Sequence, residues 1–273
     1  MSPQHTLIPS ENLERLAAFD AEYTAYDGKR SLALVPCGVT FHKEQEWILV
    51  KDTLRRNTPN YNRVLGLEAS NVHRLEEVLS YYQQDGIWPR LDIPAEATSP
   101  TLVRRLLAEG YAPLESLTCL IGSPEEMCLD EPPQQSLCAI RRFHAHEADT
   151  FLDLLSQSDG LPIDEQTRER VRQYYCTDTF RVYVAYVGDT PAAWATLFVG
   201  KEAGHLANAF TFEPYRGKGC QSALFRIRIQ EARRLGLSWL RTDILHGTIS
   251  HRNAERAGLR VATVYAYWTK NAR

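Results

Sequence analysis

Residues 211–222 read Thr-Phe-Glu-Pro-Tyr-Arg-Gly-Lys-Gly-Cys-Gln-Ser, and this stretch decides the fold. An apolar run from Leu206 to Phe212 is closed by Pro214. Two glycines then flank Lys218, and an amphipathic helix pattern runs from Gly219 to Leu235. The order is strand, tight turn, helix N-terminus. The first N–H groups of a helix have no intrahelical acceptor, and its dipole is positive at that end, so the turn suits a phosphate. A side chain at Gly217 or Gly219 would hold such a group off the backbone.

Working back from the turn, the sequence predicts a meander. Arg181–Val187, a Gly-Asp-Thr turn, Pro191–Val199 and a turn containing Gly200 and Gly204 lead into the run that ends at Phe212. Leu137–Phe143 is a strand before it, with helices over Glu147–Leu155 and Asp164–Tyr175. Beyond the turn, Gly236 stops the long helix. Leu237–Ile244 is a strand, Ser250–Ala257 a short helix, and Leu259–Thr269 a last strand or strand pair. The expected fold class is α/β, a mixed sheet flanked by helices.

The first half runs in the same order. Strand candidates at Leu32–Val39, Trp47–Val50 and Tyr61–Glu68 precede a helix at Asn71–Gln84. Then come a strand at Trp88–Ile93, a helix from Thr98 through Leu107 and a strand at Leu117–Ile121. Asn62 and Asn208, Gly86 and Gly236, and Gly110 and Gly258 are 146, 150 and 148 residues apart. We read a diverged duplication; two unrelated α/β domains are the alternative. An acidic stretch with three prolines, Ser123 to Ser136, separates the halves. The expected organisation is 1–123, a linker at 124–136, and 137–273. Where the second half has Arg-Gly-Lys-Gly-Cys-Gln-Ser, the first has Glu-Ala-Ser-Asn-Val-His-Arg. With no glycine there, one cradle per chain is expected.

The composition is that of a globular chain: 273 residues, 44% apolar, 24% charged, net charge −3. No basic excess points to nucleic acid or to an anionic membrane. Arg226, Arg228, Arg233 and Arg234 are expected on the solvent face of their helix. No apolar run nears the ~18 residues of a membrane span. The N-terminus lacks a basic start and an apolar core, and the six cysteines show no metal-ligand spacing. The expectation is reduced thiols, no metal site, no nucleic-acid or membrane partner, and a cytoplasmic location.

Three phosphate motifs compete for residues 216–222. A P-loop needs Ser or Thr after its lysine, and Lys218 is followed by Gly219. A dinucleotide fingerprint needs a third glycine, and Ser222 stands there. Arg/Gln-x-x-Gly-x-Gly/Ala matches at Arg216 and Gly219. With Asn253 some 37 residues on, in Ser-His-Arg-Asn-Ala-Glu-Arg-Ala-Gly-Leu (250–259), the second half resembles the GNAT superfamily of acetyl-CoA-dependent N-acyltransferases. It departs from the family pattern at Gln221, at Pro214 and at Leu259.

The resemblance implies two GNAT-like units in tandem, the first degenerate, with acetyl-CoA as co-substrate. Arg216, Gly217, Lys218, Gly219, Cys220, Gln221 and Ser222 would hold the pyrophosphate. The backbone of Ala209, Phe210 and Thr211 would pair with the pantetheine arm, and Asn253 would bond that arm or the phosphates. The implied activity is direct transfer of an acetyl group, through a tetrahedral intermediate, to a primary amine of a small molecule or an amino terminus. A non-catalytic acyl-CoA sensor is the alternative, and a homodimer is compatible with either reading. The usual carboxylate position before the turn is Asn208, so Asp243 is preferred as base, with His205, His246 and His251 behind it. Tyr265 and Ser250 stand in for the missing helix tyrosine as acid; Ser250 is also a natural helix N-cap.

Overall fold

The computed structural model describes residues 10–44, 47–127 and 138–270. The chain divides into two compact units. Among the described residues, the first comprises 10–28, 35–119 and 261–270; the second comprises 29–34 and 120–260.

In the first unit, helix α1 (Ser10–Lys29) precedes β1 (Val39–Lys43), β2 (Ile48–Asp52) and β3 (Arg63–Leu65). Helix α2 (Leu75–Gln83), β4 (Arg90–Pro94), α3 (Pro100–Ala108) and β5 (Tyr111–Gly122) follow. β1, β2 and β3 form an antiparallel meander, and β3 runs parallel to β4 across α2. The other neighbour of β4 is the last strand of the chain, here β12 (Arg260–Lys270), antiparallel with Trp268 opposite Leu91. Trp268 completes a core with Val64, Leu75, Tyr82, Leu91 and Leu106.

Sequence and structure differ here in three places. The stretch 261–270, expected with the second half, lies in the first unit, and 271–273 is outside the described residues. Residues 124–127 are not linker: Met127 donates to Ser123 O and is 3% exposed in the second unit's core, while 128–136 lies outside the described residues. The strand expected at Leu32–Val39 starts only at Val39, and a 20-residue helix (α1) precedes it. The helix gives a weak apolar pattern because its buried face is partly polar. Asp20 and Thr24 are 7% and 4% exposed, and both bind the Arg63 guanidinium.

In the second unit, β6 (Cys138–Phe143), α4 (Ala148–Asp159) and α5 (Glu165–Val171) lead to β7 (Phe180–Val187) and β8 (Thr190–Val199). The run expected as a strand at Leu206–Phe212 is a strand only at β10 (Ala209–Thr211), and β9 (Ala203–His205) lies at the turn expected around Gly204. Helix α6 (Cys220–Arg234), β11 (Trp239–Ile244) and α7 (Ile249–Arg256) complete the unit. The strand order is β11-β9-β8-β7-β6, with β10 also against β8. β9 is antiparallel to β8 and parallel to β11. Leu224, Phe225, Ile229 and Ala232 of α6 pack on Tyr183, Ala193, Ala195 and Leu197. One side of the α6 pattern was misread: Arg228 is 1% exposed, not solvated.

Candidate functional site

The split between β9 and β10 shapes the site. β11 pairs with β9 through Arg241, opposite His205, and Leu206 N–H still donates to Arg241 O at 2.8 Å. Beyond that point β10 stays on β8 alone, with Phe210 opposite Trp194. Thr196 N–H donates to Asn208 O and Phe212 N–H to Ala192 O. Peptide groups alternate sides along a strand. The even positions therefore face β8, and Ala209 and Thr211 aim their N–H and C=O groups the other way. That open edge can take an added strand-like chain.

The edge leads into the glycine turn. Gly217 and Gly219 have φ of +76° and +79°, and a Cβ on either would meet nothing within 4 Å. Glycine is needed here for its left-handed backbone and its open approach. Among the described residues, the N–H groups of Gly217, Gly219, Cys220, Gln221 and Ser222 meet no acceptor; the first helical bond is Ala223 N–H to Gly219 O.

A cleft of about 510 Å³ runs along the edge and the turn. Its walls include Ala209, Phe210 and Thr211, then Arg216, Gly217, Gly219, Cys220, Gln221 and Ser222, then Ser250 and Asn253. Of the residues expected to hold a cofactor, only Lys218 is outside these walls; its ammonium lies 5.1 Å from the Tyr215 ring centre. Arg216 and Arg256 line the cleft and no carboxylate does. Trp194 adds a buried indole N–H that has no acceptor. Bare amide donors, two guanidinium groups and a wide φ at both glycines fit a pyrophosphate, and the open strand edge fits an amide-bearing arm.

Gln221 turns towards α7. Its amide donates to Ser250 Oγ at 2.9 Å and its carbonyl accepts from Asn253 at 2.6 Å. The N-cap of α7 is Thr248, whose side chain accepts from His251 N–H; this corrects the cap expected at Ser250. Since Ser250 Oγ accepts from Gln221, its own proton remains available to donate.

The remaining catalytic expectations fare differently. Asp243 lies on β11 with both carboxylate oxygens held by Arg241, at 3.1 and 2.9 Å. It does not line the cleft. Tyr265 is on β12 in the first unit, opposite Pro94, and is not brought to this cleft; the strand was assigned to the wrong half. His205 is buried on β9, and the His246 and His251 rings lie 4.7 Å apart outside the cleft walls.

The corresponding loop of the first unit is bonded differently. After β3, Asn71 donates to Gly66 O at 3.0 Å and accepts from Glu68 N–H at 2.9 Å. Asn71 N–H and Arg74 N–H are also satisfied inside the loop. The N–H groups of Glu68, Asn71 and Arg74 are thus bonded within the loop.

No protein-family model and no curated protein matches this sequence. Solved structures do. A GCN5-related N-acetyltransferase from Kribbella flavida aligns over 95% of this chain and 95% of its own, at TM-score 0.65 and 13% identity. A tandem GNAT protein from the clavulanic acid biosynthesis pathway aligns over 94% and 96%, at TM-score 0.60 and 9% identity. A GCN5-related N-acetyltransferase from Sphaerobacter thermophilus aligns over 83% and 80%, at 0.56 and 16%. The chain has the GNAT fold. The two alignments that span nearly the whole chain, one to a tandem protein, extend that fold to both halves.

Within the GNAT fold of the second unit, two residues near β10 escaped the sequence reading. Arg30, 8% exposed, donates to Asn208 Oδ1 at 2.9 Å and stacks on Phe180 at 4.3 Å. Tyr175 O–H holds the Arg30 carbonyl at 3.0 Å. Arg228 donates to Thr196 O at 3.0 Å and to Leu224 O at 2.9 Å, and burial pushes its pKa down to about 9. Thr196 N–H in turn donates to Asn208 O, so Arg228 is linked to Asn208 only through Thr196, whereas Arg30 touches it directly. Arg30 lies far from the glycine turn in the sequence, and no local pattern marks it. Arg228 carries a weak signal, since it lies one helical turn beyond Leu224 on the apolar side of α6.

Proposed function

We propose that the second unit binds acetyl-CoA in this cleft and transfers its acetyl group to a primary amine of a small molecule or an amino terminus. The observation that carries the reading is the glycine turn: five N–H groups without acceptors, next to a strand edge that faces no neighbour. The amides of 217–222 would hold the pyrophosphate, with Arg216 and Arg256 adding charge. Ala209 and Thr211 would pair with the pantetheine amides as a further strand would. That pairing lays the thioester beside Asn208 and Trp194.

Transfer requires a neutral amine, a donor to the thioester oxygen and a proton for the leaving thiolate. The guanidinium of Arg30 beside Asn208 disfavours a second cation and so favours the neutral amine. The Trp194 N–H is a donor within the cleft walls. Ser250 retains a proton to give, and Asp243 remains the proposed base on β11. Calorimetry with acetyl-CoA, followed by an amine screen for CoA release, tests the reading. Absence of acetyl-CoA binding would sink it.

One observation favours a second reading. Among the described residues, no carboxylate or histidine lines the cleft, and Asp243 is engaged by Arg241. A protein that binds acyl-CoA without turning it over needs neither. Binding with no turnover across all amine classes would select that reading.

A further inference from the structure

Two thiols meet beneath the glycine turn. Cys138 is the first residue of β6 and Cys220 the first of α6. Their sulfurs lie 2.6 Å apart, and Cys138 Sγ also faces Lys218 O at 3.6 Å. Cys220 is 1% exposed, whereas Cys138 is only partly buried. Of the other described cysteines, Cys119 and Cys176 are buried and the thiol of Cys37 donates to Asp52.

We propose that Cys138 and Cys220 form an oxidisable dithiol that closes to a disulfide and pins the turn in its open-amide conformation. The effect on the cleft rests on the cofactor reading above; the dithiol itself does not. The oxidant class is a low-molecular-weight disulfide such as oxidised glutathione. Cys138, the reachable thiol, loses its proton to solvent and attacks one sulfur of glutathione disulfide. A mixed disulfide forms and one glutathione leaves. Cys220 then loses its proton and attacks the Cys138 sulfur, and the second glutathione leaves. The protein gives up two electrons and two protons, and glutathione disulfide becomes two glutathiones.

The geometry favours the second step, because the sulfurs are already in contact and neither β6 nor α6 has to move far. Burial pushes the Cys220 thiol up to about 12, which keeps it inert to outside reagents and leaves Cys138 as the point of entry. Cys220 N–H is one of the bare amides of the turn. Fixing its side chain to β6 removes freedom that a bound pyrophosphate would otherwise have to remove.

The test oxidises the full chain with glutathione disulfide, then maps the cross-link by mass spectrometry and titrates acetyl-CoA, which has no free thiol to reduce the bridge. Cys128, outside the described residues, is replaced in parallel (Cys128→Ser) so that a bridge to it is recognised. We expect a Cys138–Cys220 cross-link, a mass lower by two hydrogens, and acetyl-CoA affinity at least about threefold higher than in the reduced chain. Cys138→Ser should abolish both. A persistent glutathione adduct on Cys138 with no cross-link would overturn the proposal. A cross-link with unchanged affinity would overturn the role at the turn. A cross-link in a chain that binds no acetyl-CoA in either state would support the dithiol and overturn the cofactor reading instead.

Discussion

Asn253 donates its side-chain amide to Gln221 Oε1 at 2.6 Å, and Gln221 passes a hydrogen bond on to Ser250. The start of α6 is thereby tied to α7 across the mouth of the cleft. A glutamine where the family pattern has glycine or alanine is accommodated because α7 offers it two partners. Gln221→Ala should lower stability by about 1 kcal/mol, measured by urea unfolding. It also frees the Asn253 amide to reach a ligand, so acetyl-CoA affinity should hold or rise. A tenfold loss of affinity would show that Gln221 itself contacts the cofactor.

Gly219→Trp should leave the fold intact and cut acetyl-CoA affinity by at least about 100-fold. A Cβ there meets open space, so the ring fills the cleft and not the core. The left-handed φ adds a strain of about 1–2 kcal/mol. Circular dichroism and calorimetry separate the two effects, and undiminished binding would remove the turn from the site.

The charge of Arg30 can be read in a pH profile. Arg30→Leu removes a cation beside Asn208, so a bound amine should become easier to protonate, with a pKa rise of up to about 1 unit. The acid limb of the kcat profile should move to higher pH by that amount. A profile that falls in amplitude without shifting would confine Arg30 to holding residues 29–34 in place.

Asp243 and Arg241 give opposite signatures for a base and for a structural pair. Asp243→Asn removes the charge that faces Arg241, 4% exposed, and keeps one acceptor oxygen, at a cost of about 1 kcal/mol. We expect that loss in unfolding experiments. If Asp243 is the base, kcat also falls by at least about 100-fold with acetyl-CoA affinity little changed; with a pairing role alone, the activity of the folded chain stays.

Buried thiols set the alkaline limit of stability. Burial pushes Cys176 up to about 12 from 9.0, and Cys220 likewise. Above pH 9 the unfolded chain releases thiol protons that the folded chain retains. Stability is therefore complete below about pH 9 and falls as pH rises towards 12. Cys176→Ala should remove one share of that slope, about 1 kcal/mol near pH 10, seen as a flatter dependence of urea midpoints on pH.

The second unit was largely legible because its elements announce themselves locally. The Gly217 and Gly219 turn, the apolar stripe of α6 and Gly236 each act within a few residues of their own positions. The cleft around 209–222 and 250–253 followed from the turn and from Asn253. What stayed hidden depends on partners distant in sequence. Helix α1 buries Asp20 and Thr24 against Arg63, so its pattern looks polar. Arg228 finds its acceptor on β8, and Arg30 finds Asn208 across 178 residues. The break after His205 is a matter of pairing: β11 holds β9 and then lets go of the chain, which leaves no mark in an apolar run. Tyr265 was misassigned because nothing in the strand Arg260–Lys270 names the sheet it joins.

That last strand bears on how the protein is made. The first unit's sheet has a place beside β4 that is filled by β12, which follows the second unit in sequence, and its core includes Trp268. A chain emerging from the ribosome cannot complete the first unit until β12 has been synthesised, after the whole of the second. The usual order, in which the N-terminal domain folds first and waits, is closed to it. The later unit has its own strands in hand sooner, so the half with the cleft can be built before the half that precedes it.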